Sequence, residues 1–428
     1  MPTRFDKPRI EPLRAGSAGR VYTRAVVPFL ASLALAFALQ FLLRPNLTDY
    51  DAGLVMSVGI NIMLAVSLTI VNGFTGQFSI GHAGFLGVGG YVAGSITYYG
   101  SVAAFGNGST HGSVLSGTTL DVDAATLTWF GTGDWLFVTA VITGGLVAAG
   151  VGYVVGLPSL RLRGDYLAIV TLGFGEIVRV VIQRTGNVLK PQMISWDQVH
   201  PGLPHPAGVE KILAYQLSRV NESTGATETY WKAVSDAHWW QVMPRVGGSL
   251  GFSATPDYTS LFWVGLFACV TLVVAYRLKR STFGRAFLSI REDEIASEAM
   301  GVDTTRYKVR AFMIAAFFAG LAGGLYAHFK SMNPNEIGFS RSFDIVIMVV
   351  LGGLGSVSGA TIAAVIVTLL PEWLRSLDQY RMVIWALALI LMMIFRPQGL
   401  LGVREVWDPA LWRSVRGLFS RSKGVPRA

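Results

Sequence analysis

Two opposite charges lie inside one of the apolar runs of the sequence. Glu176 and Arg179 stand three residues apart in the run at 166–182, which places them on one face of a helix. They would lie about 15 to 20 Å along that helix, at a depth where ionised groups in a membrane face the protein interior or an aqueous cavity. Two interpretations stay open: a structural ion pair that fixes the helix orientation, and a polar lining for a small zwitterionic or dipolar solute.

A second group of polar residues interrupts an otherwise apolar region. The stretch GFTGQFSIGHAGFLGVGGYVAG, residues 73–94, contains eight glycines and one histidine. Non-helical backbone at membrane depth is tolerated only where protein or water satisfies its polar groups, so glycine-rich interruptions indicate a translocation path. The candidate path residues in such settings are Gly76, Gln77, Ser79, His82, Gly352, Gly353 and Gly355. The alternatives are close helix packing for the glycines and a hydrogen-bonded packing role for the histidine. Close packing is what we predict for the ladder of Ala316, Gly320 and Gly324 on the run at 311–327.

The composition indicates that helices in a lipid membrane carry these residues. Of the 428 residues, 52% are hydrophobic and 14% are charged, whereas a soluble domain has about 25% charged residues. Basic residues concentrate in 1–24, in 277–310 and in the tail from 396, while 101–133 contains no Lys or Arg. The net charge of +9 thus follows the distribution expected of cytoplasmic loops, and we expect no nucleic-acid partner.

Apolar runs predict the number of membrane crossings. The candidate runs are 25–43, 52–71, 83–99, 135–157, 166–182, 258–276, 311–327, 343–370 and 382–395. The run at 343–370 would make a helix of about 42 Å, too long for one crossing. A break near Gly352–Gly359, giving two short crossings or a re-entrant hairpin, keeps the basic tail on the cytoplasmic side. The sequence therefore predicts an all-α, polytopic membrane helix bundle of about ten membrane segments, with broken or re-entrant elements and both termini cytoplasmic.

The same patterns predict the domain organisation. A basic cytoplasmic segment at 1–24 precedes a transmembrane domain at 25–403, and a basic cytoplasmic tail follows at 404–428. A long external insert covers about 186–257. Its aromatic residues, which we expect at the membrane interface or against an external partner, are Tyr230, Trp231, Trp239 and Trp240.

The loop at 278–309 is predicted to carry a short amphipathic helix. Ser281 or Thr282 caps its start, REDEIASEAM is helix-forming, Gly301 ends it, and Asp303 lies at the start of the next span. The charged residues of this loop that we single out are Arg291, Glu292, Asp293, Glu294 and Glu298. Such a helix is suited to docking in a groove on a cytoplasmic partner, although a charge run alone is typical of a solvated loop helix.

Five blocks of the sequence together resemble a known family. They are NGFTGQFSIGHAGFLGVGGYVAG, LRLRGDYLAIVTLGFGEIVRVV, STFGRAFLSIREDEIASEAMGVDTTRYKVRAF, VVLGGLGSVSGA and FRPQGLLG. In this order they resemble the M-type permease subunits of ATP-binding cassette importers for branched-chain amino acids, over nearly all of 50–403. The resemblance implies that the loop is a coupling loop, with Glu298, Ala299 and Gly301 at the positions of the family's signature. The long insert departs from the family pattern, in which a short loop follows the span.

The resemblance also implies the partners and the location. It implies a heterodimer with a sister permease subunit, two cytoplasmic ATP-binding subunits, an external solute-binding protein, and a bacterial inner membrane. The sequence agrees, because it contains no Gly-Lys dipeptide and hence no Walker A motif to hold ATP phosphates. We expect a permease that works by alternating access, with no enzymatic activity, cofactor or metal of its own.

Other functions stay open at this point. The same extended family serves urea and short amides, so the solute can differ. An autonomous proton-linked secondary transporter would use Glu176 and His82 as its titrating groups. An intramembrane enzyme is disfavoured because no acid and nucleophile are paired at helical spacing.

Overall fold

The computed structural model describes residues 18–116, 129–159, 165–203, 206, 209–220, 227–375, 380–396 and 398–406. Most of the predicted segment 1–24 and of the tail 404–428 therefore lies outside the described residues. The helices are α1 (Ala18–Ala38), α2 (Asp49–Leu68), α3 (His82–Phe105), α4 (Thr132–Ser159), α5 (Asp165–Gln183), α6 (Trp196–Val199), α7 (Trp239–Val242), α8 (Leu261–Arg280), α9 (Thr282–Glu292), α10 (Glu294–Ala299), α11 (Thr304–Ala327), α12 (Phe339–Gly352), α13 (Val357–Trp373) and α14 (Arg381–Phe395).

Six helical segments in the described part of the chain are long and apolar enough to cross a membrane. They are Val26–Asn46, Asp49–Phe74, Thr132–Pro158, Tyr166–Gln183, Leu261–Arg280 and Thr304–Ala327. The helix α13 is apolar but shorter. This confirms a polytopic helical membrane protein, while the count of about ten segments and the side of the termini stay predictions.

Small residues bring α3, α4 and α11 into close contact at the centre of the bundle. The ladder of Ala316, Gly320 and Gly324 on α11 was predicted to be a packing face, and all three residues are buried. An added Cβ at Gly320 would lie 2.6 Å from Ala148 Cβ, and one at Gly89 would lie 2.3 Å from Gly320 Cα. Helix axes can approach this closely only where side chains are absent or minimal.

The two glycine-rich regions differ in how much of each is non-helical. The chain leaves α2 through a π-helical turn at Thr69–Phe74, and residues 75–81 are non-helical before α3 begins at His82. The later glycines of 73–94 therefore lie within a helix, where they serve packing. The break predicted near Gly352–Gly359 is present, because α12 ends at Gly352 and α13 begins at Val357.

The insert that was predicted to be external contains a β-sheet, so the all-α prediction is wrong there. Strands β1 (Gln192–Ser195), β2 (Lys211–Val220) and β3 (Thr227–Ala233) form an antiparallel sheet in the order β1-β2-β3. Residue Ala214 pairs with Gln192 on one side and Ala233 on the other. The insert rests on α3, where Tyr98 Oη donates to the Leu189 carbonyl at 3.1 Å and Tyr99 Oη to the Arg245 carbonyl at 2.7 Å.

The close helix contacts predict an asymmetric response to adding one methyl group. A Cβ at Gly323 would lie 2.0 Å from the Leu86 carbonyl oxygen, whereas a Cβ at Gly150 on α4 meets nothing within 4 Å. We expect Gly323→Ala to destabilise the fold by about 1–3 kcal/mol, since backbone must shift. The control Gly150→Ala should be neutral or stabilise by up to about 1 kcal/mol. Thermal unfolding in one detergent, followed by tryptophan fluorescence, checks this; equal midpoints for the two variants would contradict it.

Candidate functional site

The loop between α8 and α11 folds as two short helices, not as the single helix predicted from REDEIASEAM. The backbone of Asp293 is extended, with φ −156° and ψ 112°, and this residue ends α9. Its carboxylate then accepts from the amides of Ile295 and Ala296 at 2.9 and 3.0 Å, which caps the start of α10. An aspartate competes with helix continuation by bonding nearby backbone amides, which is the reason for the break.

The caps predicted around this loop are present in the structure. Ser281 caps α9 by accepting from the Gly284 amide at 3.1 Å, and Asp303 caps α11 by accepting from the Arg306 amide at 3.0 Å. Gly301 follows α10 with a φ of +85°. The Gly301 amide donates to the Glu298 carbonyl, and the Val302 amide donates to the Ser297 carbonyl. Two such hydrogen bonds around a glycine in the left-handed conformation end many helices.

The helix α10 presents two large apolar side chains to its surroundings. Ile295 is 68% exposed and Met300 is 85% exposed. Behind them, Glu294 pairs with Lys308 at 2.6 Å and Glu298 accepts from Thr304 Oγ1 at 2.6 Å. Both partners lie on α11, so the acidic residues attach α10 to the long helix while the apolar tip stays uncovered.

Arg291, in the last turn of α9, joins this loop to both glycine-rich breaks. Its Nη1 donates to the Gly73 carbonyl at 2.8 Å and lies 3.4 Å from the Leu354 carbonyl. The approach requires glycine at Gly355, which has a φ of +97° and where a Cβ would lie 2.5 Å from Arg291 Nη1. A Cβ at Gly76 would likewise meet the Arg291 side chain, at 3.1 Å. From the sequence, Arg291 was assigned to the loop and these glycines to a translocation path, and no contact between them was predicted.

A second cation stabilises the break between α12 and α13. Lys279 Nζ donates to the Gly355 carbonyl at 2.7 Å and pairs with Glu405 at 2.5 Å. The Glu405 carboxylate also accepts from the amides of Val357 and Ser358 at 3.1 and 3.0 Å, so it caps α13. Burial raises the pKa of Glu405, but the hydrogen bonds from Lys279 and Ser358 outweigh it and leave the pKa below its usual value.

Sequence reasoning missed the contact between Lys279 and Glu405. Residues 398–406 fold back beneath the break, with the Leu400 amide donating to the Leu351 carbonyl at 2.8 Å. The available signal was an acid just after FRPQGLLG, in a tail whose charges are basic except for Glu405 and Asp408.

The polar residues before α3 are buried, and two of their oxygen atoms have no hydrogen-bond partner within the described chain. These atoms are Gln77 Oε1 and Ser79 Oγ. The backbone of Ser79 is nevertheless held, since its amide donates to Asn72 Oδ1 at 3.1 Å and its carbonyl accepts from Asn72 Nδ2 at 3.3 Å. His82 Nε2 lies 2.7 Å from Ser67 Oγ, the contact of a hydrogen-bonded packing residue.

Glu176 and Arg179 form an ion pair, which was one of the two interpretations left open by the sequence. The Glu176 and Arg179 side chains are 2.6 Å apart and about one-third exposed. The other carboxylate oxygen of Glu176 accepts from the Phe339 amide at 3.0 Å, at the start of α12. A carboxylate at a helix N-terminus satisfies a free amide and complements the helix dipole, so this pair orients α12 against α5.

The candidate path residues thus fall into two groups. Gly76, Gly353 and Gly355 lie at the end of the bundle that carries the loop, where Gly353 packs against Gly402. The other group lies further along the bundle and contains Ser79, His82, Glu176 and Arg179. Between Ser79 and His82, the backbone at Gly81 contacts the Thr171 carbonyl and Gly175 on α5, next to Glu176. The structure therefore brings the start of α3 close to the charged pair, and keeps Arg291 with the two breaks.

Comparisons with known proteins agree with the family resemblance. The family described as branched-chain amino acid transport system, permease component, matches residues 51–396. The chain is 33% identical to the high-affinity branched-chain amino acid transport system permease protein LivM of Escherichia coli strain K12, over 87% of this chain and 74% of that protein. It is 22% identical to a probable branched-chain amino acid transport permease protein LivM of Methanocaldococcus jannaschii, over 86% of this chain and 97% of that protein.

A more distant similarity extends to a second type of permease. The chain is 32% identical to the permease protein LivH of Salmonella typhimurium strain LT2, over 38% of this chain and 53% of that protein. No solved structure matches the chain.

The Glu405 contacts predict a pH-dependent stability difference. We expect Glu405→Gln to destabilise the fold by about 3 kcal/mol, since Lys279, whose side chain is only 15% exposed, loses its charge partner. Because the folded pKa of Glu405 is lowered, its contribution is complete above the ordinary value of 4.5 and is lost as pH falls through the folded pKa. The difference in thermal midpoint from wild type should therefore be largest at about pH 7 and should shrink as the pH is lowered below 4.5.

The exposed ion pair of Arg306 and Asp303 supplies the control for this measurement. Arg306 is 77% exposed in its side chain, so Arg306→Gln should change stability by less than about 1 kcal/mol at any pH. A Glu405→Gln variant as stable as wild type at neutral pH would show that the contact with Lys279 does not hold the break.

Proposed function

This chain belongs to the family of permease components of branched-chain amino acid transport systems, and we propose that it forms part of the membrane pathway of an ATP-binding cassette importer for those amino acids. The observation that carries the proposal is the loop between α8 and α11. Its apolar tip at Ile295 and Met300 is uncovered, and its Arg291 bonds both glycine-rich breaks. A surface for a partner is thus joined directly to the places where the helices are interrupted.

The uncovered tip supports a partner that docks on α10. An apolar helix face that is rimmed by charge is suited to a hydrophobic groove on another protein. In this proposal the partner is a cytoplasmic ATP-binding subunit, and Glu292, Asp293 and Glu298 form the polar rim of the contact. ATP hydrolysis then takes place on that separate chain.

The caps on either side of α10 support transmission of motion from such a partner. Asp293 starts α10, the Gly301 turn ends it, and the pair of Glu294 with Lys308 holds it to α11. A displacement of α10 would therefore move α11 as well as α9. Arg291 at the end of α9 would carry the same displacement to the π-helical end of α2 and to the turn between α12 and α13. Alternating access requires this kind of coupled movement.

The buried polar atoms before α3 support a path in this region. Oxygen atoms such as Gln77 Oε1 and Ser79 Oγ are costly to bury without partners, and such groups in a native fold call for a functional explanation. We infer that they face the solute or its water in another state of the cycle. Glu176 and Arg179, near the same segment, would line the path or hold α12 in place.

The remaining assignments complete the proposal. The chain would have about ten membrane segments with both termini cytoplasmic, in a bacterial inner membrane. It would pair with a sister permease subunit and receive solute from an external binding protein, with the sheet-containing insert on the outer side. The similarity to LivH permease proteins supports a related second permease.

Docking on α10 predicts the result of placing charge on its tip. We expect the double variant Ile295→Lys, Met300→Lys to lose leucine uptake at least about tenfold and to lose the ATP-binding subunits on affinity purification, since two desolvated charges would cost more than about 1.4 kcal/mol. The matched control Ile295→Leu, Met300→Leu keeps the tip apolar and should retain both. Uptake is measured in cells as ATP-dependent accumulation of labelled leucine.

Two results would overturn the proposal. Wild-type uptake and subunit recovery in the lysine variant would remove α10 from coupling. Uptake by the purified chain alone, driven by a proton gradient without ATP, would identify an autonomous transporter, and accumulation of urea or short amides without leucine would correct the solute.

A further inference from the structure

A cavity of about 430 Å³ opens between α2, α12 and α13. Its size falls within the range of small-molecule sites, about 300–1,000 Å³. Four charged side chains line it, namely Lys330, Arg341, Asp344 and Glu372. Two are cations and two are anions, and none was singled out from the sequence, because they come from three separate parts of the chain.

The cavity lies toward the end of the bundle that is opposite the loop. Leu54 and Ser57 belong to the first half of α2, and Glu372 belongs to the last turn of α13. Arg291 contacts the other ends of these helices, at Gly73 and Leu354. In the proposed topology the cavity therefore faces the side from which solute arrives.

Two of the four charges are already engaged with the protein. Arg341 donates to Asn61 Oδ1 at 2.8 Å and stacks over the Tyr326 ring at 5.8 Å. Asn61 in turn donates to Thr368 Oγ1 at 2.8 Å. Glu372 accepts a hydrogen bond from Tyr50. These contacts fix one cation and one anion in the cavity wall.

The other two charges are available. Within the described part of the chain, the side chains of Lys330 and Asp344 have no hydrogen bond and no ion pair. Lys330 lies over the ring of Phe329 at 5.4 Å, and Asp344 has Arg341 one helical turn before it on α12. Asp344 is partly buried, and a carboxylate without a hydrogen bond in such a place is costly unless a ligand or water satisfies it. Lys330 is exposed, so its ammonium group lies at the open edge of the cavity.

This arrangement is complementary to an α-amino acid. The zwitterion carries its carboxylate and its ammonium group on one carbon, so its site needs both signs of charge close together. The cavity also has an apolar wall formed by Leu54, Met348 and Val367, which suits an aliphatic side chain. Urea and short amides carry no net charges and would leave the charged groups unsatisfied.

We propose that this cavity is an outer binding site for the zwitterion of an aliphatic amino acid. This inference rests on the proposed function. Lys330 and Arg341 hold the solute carboxylate, Asp344 holds the ammonium group with Glu372 beside it, and the aliphatic side chain contacts Leu54, Met348 and Val367. The solute waits here before the path at the loop end of the bundle opens.

Cysteine protection tests the site in the assembled transporter in proteoliposomes. Cys269, the only cysteine, is replaced by Ala, and Ser57→Cys places one thiol in the cavity wall. The rate of labelling by a charged methanethiosulfonate reagent is measured without solute, and with L-leucine, isoamylamine or 4-methylpentanoate. The amine lacks the carboxylate, and the acid lacks the ammonium group.

We expect saturating leucine to slow labelling at least about tenfold, and each single-charge analogue to do so much less, because one ion pair is worth about 1.4 kcal/mol or more in a partly buried site. Adding Asp344→Asn should abolish the protection by leucine. The control Asp49→Asn changes an exposed carboxylate of α2 outside the cavity and should leave the protection intact.

Leucine uptake by the same proteoliposomes separates this inference from the proposed function. Uptake without protection of Ser57→Cys would overturn the site and leave the importer assignment in place. Equal protection by leucine and isoamylamine would also overturn it, because the cavity would then be a cation site. Loss of protection in Asp344→Asn but not in Asp49→Asn supports it.

Discussion

The contact of one guanidinium group with two backbone carbonyls is the interaction on which the coupling account depends. Helices that are interrupted inside a bundle leave carbonyl groups without intrahelical partners, and such groups must be satisfied within the protein. Arg291 does this at Gly73 and Leu354, which lie on separate interrupted segments. A hydrogen bond from a charged donor contributes about 1.5–3 kcal/mol, so the end of α2 at Gly73 cannot move away from α9 without a substantial loss. The contact with Leu354 is longer, at 3.4 Å, and more exposed, so it holds the second break less firmly. The loop and the breaks are therefore one mechanical unit.

A comparable solution is found at the starts of α12 and α13. Glu176 accepts from the amide at the start of α12, and Glu405 accepts from amides at the start of α13. Each carboxylate also pairs with a basic side chain, Arg179 and Lys279 respectively. Each of these two carboxylates thus caps a helix and has a basic partner. Asp344 in the cavity is partly buried on α12 and has no hydrogen bond within the described part of the chain, which is why it indicates a ligand and not a structural contact.

Local signals in the sequence predicted much of this structure. The apolar runs, the break after Gly352, the small-residue face of α11 and the caps at Ser281 and Asp303 all depend on near neighbours, and all are present. The loop helix was wrong at Asp293, where a single side chain ends one helix and starts the next. The strands of the insert were not predicted, because secondary structure was assigned from long apolar runs and none of these runs covers the insert. Contacts such as Lys279 with Glu405 join residues 126 positions apart, and no local pattern encodes them.

The most direct test of the coupling account is the number of ATP molecules hydrolysed per leucine imported by the reconstituted complex. With Arg291→Gln, the account predicts that hydrolysis continues while this ratio rises about tenfold, equivalent to about 1.4 kcal/mol, because α9 can move without the breaks. Arg291→Lys, which has a single donor group, should give an intermediate ratio. A wild-type ratio and wild-type uptake in Arg291→Gln would contradict the account, since the two breaks would then follow the ATP-binding subunits by another route.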